Sequence, residues 1–413
     1  MFDNMTEDML IEKWSNSDLK KLAVGGIEEF DKRAVTARIL ENISNYDFSR
    51  NPFRDLMNES QSSVAPNSTG TGLFSPISLA IARRVTPELF AWKCVGVQPM
   101  SGPVGLAYAM RFKYQGLAQE AGFDDMDLFS TFTGNLSGTS GVADTGTGVN
   151  TATAEGWQIN GSITSTTPMP QLVYSMESVA ITAKTRKLAA NISLETLMDV
   201  KAMHNIDVKR EMVAKLQYQI RGEVDRELLY NIKTQSTTIA NGGETVTTWQ
   251  TSASDGRWQQ EKFNTVANVI IQKANDVGVS TRIDSANFAI VSPRVATALQ
   301  ACGARWNGNN VSVNNSNTFA EIGTLGNQVK VYIDRYARTD YATVGLKGQD
   351  GQNECGVVYS PYVLGLESEA TTQEDFSPRM GVMSRYAITN SLLGAGRYYR
   401  SINFINLNGI MQA

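Results

Sequence analysis

The sequence feature that most constrains the fold is a long run of apolar residues at helical spacing, from Asp207 to Thr234. The apolar stripe steps by four residues, and the opposite face carries lysine, arginine and glutamate side chains. The residues of the stripe are Val208, Met212, Leu216, Ile220, Val224 and Leu228. At about 1.5 Å per residue such a helix is roughly 40 Å long, which suits a rigid beam beneath a sheet. Ordinary helix lengths favour the alternative, a core helix of an α+β enzyme.

Gly222 lies inside this helical pattern. A glycine in a helix interior costs about 1 kcal/mol relative to alanine. Two interpretations stay open: the helix is weak at this point, or a neighbour approaches it closely.

The composition limits the class of protein. A chain of 413 residues is long enough for two or three domains and a sizeable core. It contains no apolar run of the length that a membrane span needs, and its first residues are acidic where a secretory signal is basic. The cysteines Cys94, Cys302 and Cys355 are far apart and odd in number, which predicts free buried thiols in a reducing cytoplasm.

Catalytic chemistry has few candidate residues. His204 is the single histidine, so a histidine metal cluster is excluded, and its position between two predicted helices favours a structural role. The sequence has no nucleophile elbow, zinc-protease motif, phosphate loop or calcium loop. We therefore predict no catalytic, cofactor-binding or metal-binding residue. A carboxylate-dependent enzyme remains an alternative, although no pair of acids has a recognisable catalytic context.

The net charge is concentrated at the amino terminus. Residues 1–59 contain 12 acids and 8 bases, which leaves 29 of each for residues 60–413. The neutral body argues against a dedicated nucleic-acid binder. Two short amphipathic helices are predicted at 6–22 and 26–44, and they either pack on something else or are disposable. A linker-like stretch of small and polar residues follows at 60–72, which predicts a boundary near Glu59.

Beyond the linker, Ser75 and Pro76 are typical of a helix start. Alternating apolar residues from Leu106 to Tyr114 predict a half-buried strand. The region from Gly116 to Thr167 is rich in serine, threonine and glycine, and we expect a functional loop that a neighbouring molecule orders. The chain returns as a strand from Val179 to Thr185, and Ser193 is predicted to cap the helix before the long one.

The sequence after the long helix predicts an α/β region followed by sheet strands. Residues at helical spacing between Phe263 and Val277 indicate a helix. A buried strand is predicted at 287–293, a helix at 294–301, and further strands at 329–337 and 341–348. The last fifty residues alternate in the way that sheet strands do.

Several stretches together resemble the major capsid protein of T-even-type tailed bacteriophages, which has the HK97 fold. The match follows the family order along nearly the whole chain. The stretches that carry it are EFDKRAVTARILEN (29–42), CVGVQPMSGPVG (94–105), AKTRKLAANISLE (183–195), MHNID (203–207), VYIDRYARTDYATVGLKG (331–348), YSPYV (359–363) and FSPRMGVMSRYAI (376–388).

The resemblance implies an α+β capsid fold in which the long helix is the spine of a peripheral domain. The implied segments are an amino-terminal propeptide at 1–59, an amino-terminal arm at 60–90, the first peripheral strand and extended loop at 91–178, the peripheral domain with the spine helix at 179–239, the axial domain at 240–350, and a return to the axial and peripheral sheets at 351–413. The family forms hexamers in an icosahedral shell around double-stranded DNA. The small insertion domain of T-even relatives looks reduced here.

The resemblance also implies maturation by a prohead protease, which cuts after a Glu that follows Leu or Ile by two residues. The matching position is Glu59 followed by Ser60, with Met57 as a modest departure at the recognition position. Further pattern matches end at Glu12, Glu29 and Glu41. A cut at Glu59 would remove the whole net charge.

The partners implied by the resemblance are other copies of the chain, a vertex protein, a portal, scaffolding core proteins and the prohead protease, with decoration proteins and a chaperonin as further candidates. DNA would be enclosed without specific binding, in a virion made in the cytoplasm of a bacterial host. We expect no cofactor and no lysine-asparagine crosslink between subunits. The pentameric vertex protein of the same phages is the nearest alternative, and a bacterial nanocompartment shell is a weaker one because it needs no propeptide.

Overall fold

A computed structural model gives the architecture of the chain. It describes residues 7–15, 27, 29–50, 89–114, 150–155, 172–237, 246–250, 258–303, 306–308, 319–326, 328–348, 355–371, 378–391, 394–405 and 407. The predicted cleavage residues Met57, Glu59 and Ser60, the predicted helix at Ser75 and most of the predicted loop lie outside these ranges.

The described helices range in length from 4 to 30 residues. The described α-helices are α1 (Glu7–Ser15), α2 (Phe30–Arg50), α3 (Ala91–Cys94), α4 (Thr151–Glu155), α5 (Leu194–His204), α6 (Val208–Thr237), α7 (Gln259–Thr281) and α8 (Pro293–Gln300), and a short 3-10 helix covers Ala395–Tyr398. The predicted long helix is confirmed as α6, the spine helix, with 30 residues. At about 1.5 Å per residue it is about 45 Å long.

A four-stranded sheet lies on one side of the spine helix. Its strand order is β1-β11-β12-β4, and β1 is parallel to β11 while the other pairs are antiparallel. The strands are β1 (Gly96–Val97), β4 (Lys184–Asn191), β11 (Val357–Thr371) and β12 (Pro378–Asn390). The register of β11 against β12 shifts between Pro361 and Val363, so β11 is irregular there.

A seven-stranded mixed sheet forms the second layer. Its order is β5-β13-β10-β6-β9-β8-β7, with parallel pairs β5/β13 and β6/β9. The strands are β5 (Val246–Gln250), β6 (Phe288–Val291), β7 (Trp306–Gly308), β8 (Phe319–Leu325), β9 (Val329–Asp334), β10 (Tyr341–Gly345) and β13 (Tyr399–Ile405). All residues of β6 are buried, which confirms the buried strand predicted at 287–293. All residues of β10 are buried as well.

The spine helix joins the two sheets. It contacts β13 and the 3-10 helix of the seven-stranded layer, and β12, β4 and β11 of the four-stranded sheet. Helix α7 packs against β10, β13 and α8, with Val266, Ile270 and Val277 fully buried. One continuous cluster of buried apolar side chains therefore runs through both sheets. The α+β class is confirmed, and the long helix contacts strands of both sheets.

The amino-terminal helices belong to this core. Helices α1 and α2 pack against each other, and α2 lies on β11. Leu10, Ile39, Leu40 and Ile43 are at most 1% exposed. Of the two interpretations offered by the sequence, the described part of this segment supports packing on the rest of the subunit.

A separate two-stranded ribbon, β2 (Val104–Tyr114) and β3 (Leu172–Thr182), leaves the body of the subunit. Two predictions are corrected here. The return strand begins at Leu172, seven residues before the predicted Val179, so the ribbon crosses the predicted boundary at 178/179. The apolar side chains of β2 are exposed in the subunit, although the alternation predicted a half-buried strand.

Candidate assembly surfaces

One face of the ribbon is apolar and uncovered. Antiparallel pairing places the even-numbered residues of both strands on this side, for example Leu106 opposite Ala180 and Phe112 opposite Tyr174. Its large described side chains are each between 48% and 62% exposed. These seven residues, which we call the ribbon face, are Val104, Leu106, Tyr108, Phe112, Leu172, Tyr174 and Met176. A contiguous apolar strip of this kind is typical of a protein interaction surface.

The opposite face of the ribbon is mixed in character. Lys113 pairs with Glu177 at 2.9 Å, and small residues such as Gly105 and Ala107 lie further along. Val173 and Val179 are also partly exposed on this side. The two faces therefore differ in polarity, which gives the ribbon one preferred face for burial.

Helix α5 presents a second apolar surface. Ser193 caps it as predicted, since its Oγ accepts a hydrogen bond from the Thr196 amide at 3.3 Å. None of its residues is buried, and Met198 and Met203 are 59% and 80% exposed. Methionine side chains adapt to irregular partner surfaces, so α5 is suited to contact with another molecule. His204 is exposed at the end of this helix, at the predicted joint between α5 and the spine helix.

The inner face of the spine helix holds the subunit together. Val224 and Leu228 are 1% exposed, Ile220 is 4% and Leu216 is 8%, whereas Val208 and Met212 are only half-buried. The buried carboxylate of Asp225 accepts a hydrogen bond from the Phe90 amide at 3.1 Å. The last four residues of the predicted stripe therefore face the core, and its first two residues lie at the edge.

A polar network crosses from β4 to the spine helix. Arg186 pairs with Glu223 at 3.1 Å and with Glu227 at 2.6 Å, and the Tyr386 hydroxyl donates to Glu227. Burial raises the pKa of Glu227, but the hydrogen bonds from Tyr386 and Arg186 more than offset this, so its pKa is lowered. The network is a fixed link between the four-stranded sheet and the helix.

A second network ties the spine helix to the seven-stranded sheet. Arg226 donates to both carboxylate oxygens of Asp334 at 2.7 Å, and the Tyr341 hydroxyl donates to the same carboxylate at 2.6 Å. Asp334 is fully buried, so its charge requires these partners. The sequence does not show the pairing of Arg226 with Asp334, because the two residues are 108 positions apart in the chain.

The described residues hold no group of three or more histidine, cysteine, aspartate or glutamate side chains arranged for a metal ion. Cys94, Cys302 and Cys355 are buried free thiols, as predicted. No helix in the described part of the chain is long and apolar enough to cross a membrane.

Known proteins match the chain along most of its length. A family model described as major capsid protein Gp23 matches residues 71–403. The major capsid protein of Salmonella phage ViI is 28% identical over 391 residues, covering 88% of this chain and 86% of the relative. The major capsid protein of Enterobacteria phage T4 is 26% identical over 487 residues, covering 93% and 91%.

Two further matches are less extensive. A capsid vertex protein of Vibrio phage KVP40 is 25% identical over 213 residues, which cover 49% of this chain and 64% of the relative. Among solved structures, the capsid of Myoviridae phage XM1 gives a TM-score of 0.41 at 12% identity, covering 75% of this chain and 90% of that chain.

Proposed function

We propose, because the chain belongs to the Gp23 major capsid protein family, that it self-assembles as hexamers into an icosahedral shell enclosing double-stranded DNA. Its relatives are structural proteins of phage heads, so the chain is a virion capsid protein and not an enzyme. The carboxylate-dependent enzyme considered from the sequence is therefore set aside.

The observation that carries the assembly proposal is the ribbon face. A two-stranded ribbon is only marginally stable in water unless something covers it. Burial of each large apolar side chain is worth about 1.5–3 kcal/mol, so covering the ribbon face would stabilise a contact between copies substantially. A contact in which the ribbon of one copy lies on a different surface of the next copy is head to tail, and such contacts close into rings.

The charge of the chain supports enclosure of DNA without specific binding. Residues 60–413 carry 29 acids and 29 bases. Proteins that hold DNA through phosphate contacts need a basic face. A neutral wall suits a container that fills with DNA and later releases it.

The maturation step that we propose is a cut after Glu59 that leaves Ser60 as the new first residue, with Met57 at the recognition position. The support is the charge imbalance of residues 1–59 and the change of composition at residue 60. The described helices of this segment are part of the core. Their removal would expose apolar surface on β11, so the cut would have to be accompanied by rearrangement or new contacts.

Hexamers are favoured over the pentameric vertex protein by the extent of the sequence matches. The vertex relative matches 49% of the chain, whereas the two major capsid relatives match 88% and 93%. The proposed partners are the vertex protein, a portal, scaffolding core proteins and a prohead protease, with decoration proteins and a chaperonin as additional candidates. Synthesis would take place in the cytoplasm of a bacterial host.

The role of the ribbon face in assembly can be tested by placing charged side chains on it. We expect Leu106→Glu combined with Tyr108→Glu to abolish large particles on expression in bacteria, because both side chains would lie at the contact between copies. Sedimentation and electron microscopy measure particle formation, and circular dichroism of the soluble variant checks the fold. The matched control is Val173→Glu, an exposed apolar residue on the opposite face. Normal particles from the double variant would contradict the proposal.

A further inference from the structure

Helix α2 covers a surface of the subunit body that becomes available when the amino-terminal segment leaves. The helix lies on β11. Its buried apolar stripe steps by four residues, and the three side chains, Val35, Ile39 and Ile43, are at most 3% exposed. Ala37 and Leu40, between these positions, are fully buried. We call the surface of the body that α2 covers the α2 site.

Two polar contacts mark the ends of the α2 site. At one end the Lys32 ammonium lies 5.9 Å from the ring centre of Trp92. At the other end the side-chain amide of Asn42 donates to the carbonyls of Met100 and Tyr362, at 2.7 and 2.9 Å. The site therefore runs from the short helix α3 to the irregular part of β11, and it ends in two carbonyl oxygens that need a donor.

The sequence contains a second segment with the same apolar pattern. Residues 77–85, ISLAIARRV, lie 42 positions after residues 35–43, VTARILENI. Ile77, Ile81 and Val85 have the spacing of the α2 stripe, and a helix start is predicted just before them. We call residues 77–85 the arm segment, which lies outside the described residues. The sequence therefore predicts two helices with interchangeable apolar faces.

The match between the two segments extends to polar positions. Thr36 of α2 is buried, and its hydroxyl donates to the carbonyl of Lys32, four residues earlier. The arm segment has Ser78 at the equivalent position, and a helical serine can make the same bond. Where α2 has Asn42, the arm segment has Arg84, whose guanidinium carries five N–H groups and can donate to both carbonyl oxygens. The arm segment therefore matches the α2 site in its donor as well as its stripe.

The volume of the arm segment also matches. Between the stripe positions α2 has Ala37 and Leu40, and the arm segment has Leu79 and Ala82. One small and one large apolar side chain are thus exchanged, and the total volume is kept. Apolar surfaces tolerate substitutions best when they conserve volume. The arm segment can therefore fill the α2 site without a large cavity.

The connection of the chain keeps the arm segment close to the α2 site of its own copy. Val85 is four residues before Leu89, so an extended chain holds the two within about 14 Å. Leu89 belongs to the same buried cluster as α2. Trp92, three residues further on, lies at one end of the α2 site. No second copy is needed to bring the arm segment to this surface.

We propose that the arm segment of the same copy replaces α2 on the α2 site once the chain is cut, and that α2 is a placeholder in the uncleaved subunit. This inference rests on the proposed cut after Glu59 and names the contact that covers β11 afterwards. Before the cut, the covalent connection holds α2 at an effective concentration of about millimolar, and packing against α1 adds to its binding. Hydrolysis of one peptide bond by water lets α2 diffuse away, whereas the arm segment stays attached.

A photoreactive residue in the α2 site reports which segment covers it. Trp92, whose ring lies beside Lys32, is replaced by benzoylphenylalanine, and a recognition sequence for an unrelated protease is inserted between Glu59 and Ser60. Mass spectrometry of the unassembled subunit should find links to α2 before the cut and links to residues 74–85 after it. The same probe at Tyr230, which is exposed on the spine helix, should give neither link. Links to α2 alone, or to any other segment, after the cut would overturn the proposal.

Isotope labels identify the copy that supplies the arm segment. The photoreaction is repeated with an equal mixture of nitrogen-15-labelled and unlabelled subunits, cut together. Each linked pair of peptides should carry a single label, because both peptides come from one chain. Pairs that carry both labels would place the arm segment of another copy on the α2 site and would overturn the proposal.

Competition between the two segments can be measured by the release of residues 1–59. After the cut this fragment should leave the unsubstituted body, and Ile81→Glu should slow the release at least tenfold, because a charged side chain at the centre of the stripe opposes burial. The matched control is Arg83→Glu, since α2 itself has Glu41, half-buried, at the equivalent position. Size-exclusion chromatography at a series of times measures the release. Urea unfolding of both uncleaved variants checks that the fold is unchanged.

Equal release from the two variants would show that the arm segment does not compete for the α2 site, which would overturn the proposal. A fragment that stays on the unsubstituted body after the cut would do the same. These measurements need neither particles nor the phage protease. Natural particles whose chain begins elsewhere than Ser60 would therefore overturn the proposed cut position and leave this inference standing. Shells with a chain that begins at Ser60, from a protein that shows no exchange, would overturn this inference and leave the proposed function standing.

Discussion

Asn42 is the polar residue that anchors the amino-terminal helices. It is 5% exposed, and its side-chain amide donates to the carbonyl of Met100 at 2.7 Å and to that of Tyr362 at 2.9 Å. The irregular register of β11 at this point leaves the Tyr362 carbonyl available to a side chain. One residue of α2 therefore satisfies two acceptors in the core of the subunit.

Replacement of Asn42 by leucine should destabilise the uncleaved subunit. Leucine keeps the volume but leaves two buried carbonyl groups without their donor, which costs about 1–3 kcal/mol. Urea unfolding of the unassembled subunit measures the change. Asp31→Asn, at an exposed position of the same helix, should change the stability by less than about 0.5 kcal/mol. Equal effects of the two substitutions would mean that the side-chain hydrogen bonds of Asn42 contribute little.

Glu227 gives the network on the spine helix a defined pH dependence. The folded state lowers its pKa from the ordinary value of 4.5, because hydrogen bonds from Tyr386 and Arg186 outweigh burial. A carboxylate of this kind stabilises the fold above its unfolded pKa, and its contribution disappears as the pH falls through the folded pKa.

Glu227→Gln should therefore lower the melting temperature of the subunit at about pH 7, and the difference should shrink as the pH falls below about 4. Thermal unfolding at a series of pH values measures this. Glu195→Gln, at an exposed position in the first turn of α5, is the comparison. A difference that stays constant with pH would show that the charge of Glu227 is not the stabilising feature.

At the scale of elements, the spine helix is not equally important along its length. Leu228 is 1% exposed, whereas Met212 is half-buried near the amino-terminal end. Leu228→Ala should cost about 2–5 kcal/mol because it opens a cavity between the two sheets. Met212→Ala should cost less than half of this. Urea unfolding of both variants measures the loss in the free energy of unfolding. Equal losses would contradict the view that the helix is buried chiefly in its second half.

Sequence periodicity predicted helices and strands well where burial of one face produces a regular spacing of apolar residues. The strands predicted at 329–337 and 341–348 are present as β9 and β10, although they end earlier, at Asp334 and Gly345. The helix containing Phe263 and Val277 and the cap at Ser193 are confirmed. The alternation in β2 also predicted a strand correctly, but it was wrong about burial. Alternation shows which side chains share a face, and it cannot show whether the same chain or another copy covers that face.

At the scale of the whole molecule, sequence patterns could not predict which strands pair with each other. β1 pairs with β11 across more than 250 residues, and the last described strand, β13, lies between β5 and β10. The long-range contacts of Asn42 and Arg226 depend on this arrangement. Local patterns carry no information on such pairings. The resemblance predicted the family instead, and the match to residues 71–403 confirms it.

The position of the amino-terminal helices links stability to maturation. Their apolar residues, among them Leu10, Ile39 and Ile43, share one buried cluster with both sheets. If the proposed cut after Glu59 releases this segment, the apolar surface that it exposes on β11 must be buried by a new contact. Our account therefore couples the cut to a change in contacts, in which the arm segment covers β11 and the ribbon face takes part in the contacts between copies.

The most direct measurement is electron microscopy of the particles that the protein forms, with the intact mass of the chain taken from the same sample. Our account predicts closed shells tiled by hexamers, with chains that begin at Ser60 in mature particles. Small discrete oligomers, with the ribbon face open to solvent and the chain at full length, would contradict the assignment of this protein as a shell subunit.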